Sequence, residues 1–371
     1  MRVPFVDLSA STKRIKKKYL EAAGKFLDRG QFILSGEIEE FEKAWAKKLG
    51  LKHCVGVGSG ADALHLSLLA LGIGEGDEVI IQGNAYNASV VAVLRAGAVP
   101  RFADIDEQTL TIDISKIEPL VTEKTKAILP VHLYGQPNNM VEISRIAKRH
   151  NLFVVEDAAQ AHLAKFAEKY AGTWGKLGCF SFYPTKNLGA FGEGGCVVTD
   201  DARIAKELRA RRHLGQIKRD HHVYFGYNSR LQGLQAIALS LKLEFLERET
   251  KKRKAAAAYY GKLIYESGLP VQPQAKLRKA DHVYHLYPVQ VFDFDRDELK
   301  RKLLEQGVET GIYYPVPVYK QPFYTASKGR LQDKCEVTEQ VARRLICLPL
   351  YPEIARGAQD YVIRSLEKIL Q

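Results

Sequence analysis

LFVVEDAAQAH, residues 152–162, decides the architecture: a short apolar run ends in two acids and gives way to an alanine-rich stretch. A strand apolar on both faces belongs in a parallel sheet covered by helices, and ligands of such sheets gather outside the carboxyl ends of the strands. Asp157 therefore stands where a bound group would be met. The same residue reads equally as a helix amino-terminal cap, because aspartate before alanines is a common start signal.

Working outward, apolar runs of the same kind recur as CVGVG at 54–58, EVIIQ at 78–82, VPRFADI at 99–105, KAILPVH at 126–132, CFSFYP at 179–184 and GCVVTD at 195–200. Helical patterns follow the first, second, fourth and last strands in chain order. This alternation predicts an α/β fold with a mostly parallel seven-stranded sheet flanked by helices. After Asn228 the pattern changes to one long or broken helix over 229–264, with apolar positions at Leu231, Leu234, Ile237, Leu241 and Phe245. A strand at 282–291, a helix at 296–307 ended by glycine and an amphipathic helix at 357–371 then predict a smaller α+β domain. The expected division is 1–245 for a large ligand-binding domain and 246–371 for a small one.

With 371 residues, 46% of them apolar, the chain can bury a sizeable core. No signal-like leader opens it and no apolar stretch approaches membrane-spanning length, which predicts a cytoplasmic protein. The five cysteines are widely spaced, with no close pair to hold a metal, and read as buried free thiols. A formal charge of +12 admits nucleic acid, an acidic membrane or an anionic small substrate as partner. The basic residues lie in helix-like stretches such as KRIKKK, the KKRK run at Arg253 and DELKRK, mostly beside acids. They read as solvated faces, and the lack of a basic stripe interleaved with aromatics argues against nucleic acid.

Two further segments carry chemistry. TKNLGAFGEGG, 185–195, is a glycine-rich loop leaving a strand, and it holds Lys186. An imine-forming lysine must lose its proton well below the usual pKa of about 10.4, which calls for burial or a cationic neighbour. Phe182, Tyr183, Leu188 and Phe191 are the residues expected to wall it in. A solvated turn lysine is the alternative. VGVGSGADALHLSLLALG, 55–72, reads as strand, glycine turn and helix, with amides at Ser59, Gly60 and Ala61 aimed at an anion. It lacks the full GxGxxG pattern of a dinucleotide site. An anion seat, a carboxylate for a ring nitrogen and a lysine for an aldehyde together match the three handles of pyridoxal 5'-phosphate.

At this point the chain resembles the nucleotide-sugar aminotransferases of the DegT/DnrJ/StrS family, fold-type I pyridoxal-phosphate enzymes. The likeness runs through QFILSGEIEEFEKAWA, GSGADALHLSLLALGIGEGDEVI, ILPVHLYGQPNNM, VVEDAAQAH, SFYPTKNLGAFGEGG, NSRLQGLQA and YYPVPVY in that order. It implies Lys186 as the covalent cofactor anchor, Asp157 as partner of the pyridinium, Gln160 beside the ring and Tyr86 stacked on its other face. It further implies Gly60, Ala61 and Ser181 at the phosphate, with Asn228 reaching over from a second subunit of a homodimer. Tyr183, His132 and Tyr314 fall on the substrate side. Read without the resemblance, Tyr86 and Tyr314 are ordinary half-buried aromatics, His132 a satisfied strand residue and Asn228 a helix cap. Four positions depart from the family pattern: Ala61 replaces threonine, Asn87 an apolar residue and Leu163 a glycine, and LQGLQ lacks an acid after Leu231.

The implied activity is transfer of an amino group from L-glutamate to a nucleotide-linked keto-sugar, in the first instance a dTDP-3-keto-6-deoxyhexose, with no metal and no membrane partner. A family branch that replaces the lysine by histidine becomes a dehydratase, so Lys186 points to transamination. Members acting on 4-keto sugars more often carry histidine at the position of Tyr183. A 4-keto sugar or cyclitol acceptor remains open, as does a regulator or nucleic-acid-binding protein built on the same fold.

Overall fold

The computed structural model describes residues 1–326 and 333–370. All seven apolar runs become strands of one sheet: β1 (His53–Val57), β2 (Glu78–Gln82), β3 (Val99–Ala103), β4 (Thr125–Leu129), β5 (Phe153–Asp157), β6 (Leu177–Ser181) and β7 (Gly195–Thr199). Their order across the sheet is β1-β7-β6-β5-β4-β2-β3. Only β7 runs against its neighbours; the remaining pairings are parallel. The run read as KAILPVH leaves the ladder at Leu129, before Pro130, which has no N–H to contribute.

Helices follow β1, β2, β4 and β7 as the pattern predicts, at Gly60–Ala70, Asn87–Arg95, Met140–Arg149 and Ala202–Arg211. The first is buried from Ala63 to Leu68, on all sides. It lies between the sheet and the helices Asn87–Arg95 and Ala202–Arg211, which is why its sequence is apolar all round. On the opposite face, Trp45 and Phe41 from the helix Gly36–Leu49 meet Phe180 and Phe182 edge to face, with ring centroids 5.2 Å apart in each pair.

The expected connector is broken: Gly233–Leu243 ends and Leu246–Ser267 begins across Glu244 and Phe245. The apolar line expected along it holds only in part. Leu231 precedes the helix, and full burial centres on Ala236–Leu239. Beyond it, strands Val271–Pro273, Tyr287–Val291 and Leu345–Leu348 form an antiparallel sheet. The helices Leu246–Ser267, Arg296–Glu305 and Arg356–Leu370 pack around it. Val3 belongs to this second core and bridges Val308. The first residues thus serve the carboxyl-terminal body, a departure from the continuous 1–245 unit.

Because β1, β2, β4, β5 and β6 run the same way, the segments that follow them emerge at one edge of the sheet. Ser59, Tyr86, Val131, Asp157 and Ser181 are brought together there by topology alone. All five cysteines are buried and unpaired. Among the described residues no helix is long and apolar enough to cross a membrane.

Candidate active site

A cavity of about 590 Å³ opens at that edge. Nine of the eleven residues singled out from the sequence line it: Gly60, Ala61, Tyr86, Asp157, Gln160, Ser181, Tyr183, Lys186 and Tyr314. This volume is in the range of pockets that hold small ligands.

Asp157 is the last residue of β5, 5% exposed, and its carboxylate is held at both oxygens. Ser89 Oγ donates to Oδ2 at 2.7 Å and the Ala159 amide to Oδ1 at 3.0 Å. Each oxygen keeps a lone pair for a ligand N–H. The preceding Glu156 anchors the strand end from behind. Its fully buried carboxylate accepts from the amides of Gly172, Trp174 and Gly175 at 2.8, 2.6 and 2.7 Å.

Across the cavity the helix Gly60–Ala70 presents its amino terminus. Ser59 caps it by accepting from the Asp62 amide at 3.1 Å. First-turn amides such as those of Gly60 and Ala61 have no preceding carbonyl to bond, so they are available to an anion. The terminus is pressed against the sheet. A Cβ on Gly60 would sit 2.6 Å from Ser181 Cβ, and one on Gly195 would sit 2.4 Å from the Ser59 carbonyl carbon. Glycine at both positions lets the helix end, Ser181 and the incoming β7 share one corner.

Lys186 follows β6, its amide donating to Tyr183 O at 2.9 Å. Loss of hydration lowers its amine from the usual 10.5 to about 8, with the Asp157 carboxylate opposing the shift. Of its four expected walls, Phe182 and Leu188 are fully buried, whereas Tyr183 and Phe191 remain 47% and 37% exposed. Exposure of these two corrects the expectation of an enclosed loop. His285, on the cavity wall, is hydrogen-bonded to Asn187 Oδ1 at 3.2 Å. Burial first, then the charges of Lys186 and Arg253, hold its imidazole well below 6.5 and therefore neutral.

Gln160 Oε1 accepts from the Tyr134 amide at 2.7 Å, which leaves the side-chain NH₂ as its donor to a ligand. Tyr86 is 50% exposed and stacks on Tyr314, with centroids 4.9 Å apart and planes 25° from parallel. Tyr313 lies beside them in the lining.

His132 is not part of this cavity. It is fully buried, with Nε2 2.9 Å from Glu156 Oε2 and Nδ1 accepting from the Asn138 amide at 3.1 Å. Both nitrogens are committed one layer behind the site, so the substrate-side expectation is corrected to that of a satisfied strand-end residue. Asn228 is exposed, pairs with His213 and lies outside the lining formed by its own chain.

The departures from the family pattern resolve locally. Ala61 still offers its amide, and Asn87 sits exposed at the start of a helix. Leu163 occupies the left-handed region at φ +66° while only 7% exposed. Its backbone keeps the conformation natural to glycine, a strained choice for a branched residue that burial of the side chain offsets.

Sequence reasoning missed Ser89, Arg253, His285, Tyr313 and Glu193. Ser89 lies three residues after Tyr86, which the sequence did single out. Arg253 was assigned to a solvated basic face, yet it is 5% exposed and lines the cavity, which corrects that assignment.

A family model described as the DegT/DnrJ/EryC1/StrS aminotransferase family matches residues 13–367. A protein of Aneurinibacillus thermoaerophilus named dTDP-3-amino-3,6-dideoxy-alpha-D-galactopyranose transaminase is 40% identical, the match covering 99% of each chain. A Geobacillus stearothermophilus protein named pleiotropic regulatory protein is 41% identical over 99% of this chain and 98% of its own. Among solved structures, S. venezuelae DesV in complex with a ketimine intermediate superimposes with a TM-score of 0.95 at 39% identity, covering 100% of this chain and 99% of its own.

Proposed function

This chain belongs to the DegT/DnrJ/EryC1/StrS aminotransferase family, and we propose that it moves an amino group from L-glutamate to a dTDP-linked 3-keto-6-deoxyhexose. The observation that carries this reading is one cavity holding Lys186, Asp157 and the amino terminus of the helix Gly60–Ala70. The cofactor is pyridoxal 5'-phosphate.

The residues present fit that cofactor. The helix terminus and Ser181 form a cradle for a dianion, in a corner that a Cβ at Gly60 would fill. Asp157, already oriented by Ser89 and Ala159, faces the cavity as an acceptor for a protonated ring nitrogen. When bound, the cofactor supplies an aldehyde for the amine to be carried and a ring that withdraws electrons from the carbon beside it. The chain's own part is to position and to move protons. Asp157 keeps the ring nitrogen protonated. Lys186 Nζ, with a pKa near 8, accepts and returns a proton close to neutral pH. Tyr86 and Tyr314 cover one side of the cavity as a stacked pair.

The acceptor is supported by the name of the Aneurinibacillus relative and by Tyr183, which stands where members acting on 4-keto sugars more often have histidine. Lys186 on the cavity wall supports catalysis over a purely regulatory role, the reading that the name of the Geobacillus relative raises.

Homodimerisation accompanies this reading. Phe32, Ile33, Leu214, Ile217, Val223 and Phe225 are exposed, the last by 77%. A second copy covering these apolar side chains would bring Asn228 toward the partner's cavity. A cytoplasmic location goes with these reactants. The reading is tested by incubating the protein with L-glutamate and, in turn, a 3-keto sugar, a 4-keto sugar and a keto-cyclitol. Amination of the dTDP-3-keto-6-deoxyhexose, detected by mass, is the expected result; amination of either other acceptor alone would replace the proposed substrate.

A further inference from the structure

Arg253 projects from the helix Leu246–Ser267 into the wall of the same cavity. Its Nη1 donates to the carbonyl of Leu350 at 3.1 Å and to those of Tyr284 and His285 at 3.4 Å each. Among the described residues neither Nε nor Nη2 donates to an acceptor, and no carboxylate lies within ion-pair distance. Glu249 and Glu353, the acids whose charges reach it, are bonded to Arg14. A guanidinium 95% removed from solvent without a counter-charge is costly to maintain, and its planar fork matches a carboxylate.

Among the described residues of the lining the other cationic side chain is Lys186, whose proton is labile, and His285 is neutral. Once Lys186 is engaged with the cofactor, Arg253 is, among the described residues of this chain, the one fixed positive charge inside the cavity. Glutamate enters with two carboxylates. We propose that Arg253 is the donor-recognition residue, its free N–H groups binding a carboxylate of the incoming amino acid. This rests on the aminotransferase reading above. It differs from the role of a latch that only ties the helix to the carbonyls of Tyr284, His285 and Leu350.

The test uses cofactor-loaded wild type, Arg253→Gln and Arg253→Lys, titrated calorimetrically with glutarate, which carries both carboxylates and no amine, and separately with dTDP. Arg253→Gln is expected to weaken glutarate at least tenfold and Arg253→Lys severalfold, with dTDP affinity altered less than twofold. Unchanged glutarate binding overturns the proposal, as does weakening confined to dTDP, which would assign the residue to the nucleotide diphosphate. Equal weakening of both probes also overturns it in favour of the latch. Should Arg253→Gln not fold, Arg253→Lys decides: it keeps a carbonyl donor but loses the fork, and unchanged glutarate affinity would refute the assignment. Failure of wild type to convert its cofactor with L-glutamate refutes the aminotransferase reading instead, and leaves glutarate binding to be judged separately.

Discussion

The cavity gives Lys186 a pH signature that can be worked through. With a pKa near 8 in place of 10.5, about one amine in 11 is unprotonated at pH 7, against about one in 3,000 for an ordinary lysine. The protonated form has no lone pair, so loading of cofactor-free protein with pyridoxal 5'-phosphate scales with the neutral fraction. The gain at pH 7 is about 300-fold over an unburied lysine amine. Below pH 8 the rate should fall tenfold for each unit, and above it the rate should level off. The assay is stopped-flow growth of the visible cofactor band from pH 6 to 10, referenced to Nα-acetyl-lysine under the same conditions to remove titration of the cofactor itself. The ratio to that reference should hold constant below pH 8 and fall about tenfold per unit above it, because the free amine keeps gaining its neutral form up to about 10.4. A ratio constant to about pH 10 would refute the claim that burial activates this amine.

Three other substitutions report on separate parts of the account. Ser89→Ala removes a 2.7 Å hydrogen bond to Asp157, a charge-assisted bond of about 1.5–3 kcal/mol. Cofactor affinity should fall at least tenfold by equilibrium dialysis. Gly60→Ala places a methyl 2.6 Å from Ser181 Cβ and 3.2 Å from its Cα, forcing the helix terminus away from the phosphate corner. Cofactor affinity should drop tenfold or more, with a loss of about 1–3 kcal/mol in urea unfolding of the cofactor-free protein. Arg212→Met leaves Glu42 buried without the guanidinium that now bonds both it and, at 2.7 Å, the Gly56 carbonyl. Breaking this pair should cost about 3–5 kcal/mol in urea unfolding.

The sheet was legible because strands such as EVIIQ are buried on both faces, and continuous apolar runs need no partner to be recognised. Lys186 and Asp157 were legible for a related reason: each ends or follows such a strand, and parallel topology sends those ends to one edge. His132 stands just past a strand end too, but its side chain turns behind the edge toward Glu156, and one chain's pattern does not encode that rotation. Arg253 was hidden by its surroundings in KKRK. Lys251 and Lys252 are exposed while Arg253 is buried, a distinction that depends on the carbonyls of Tyr284, His285 and Leu350 from distant segments. The three-stranded sheet was only partly visible because Val271–Pro273 and Leu345–Leu348 are short and lack alternation.

The most direct measurement is the visible spectrum of the cofactor-loaded protein before and after L-glutamate, beside Lys186→Ala. In wild type the cofactor band should give way to the aminated form on adding glutamate and return on adding the keto-sugar, with neither change at a comparable rate in the variant. A wild-type band untouched by glutamate, or a variant that converts as fast as wild type, would contradict Lys186 as the group on which the chemistry turns.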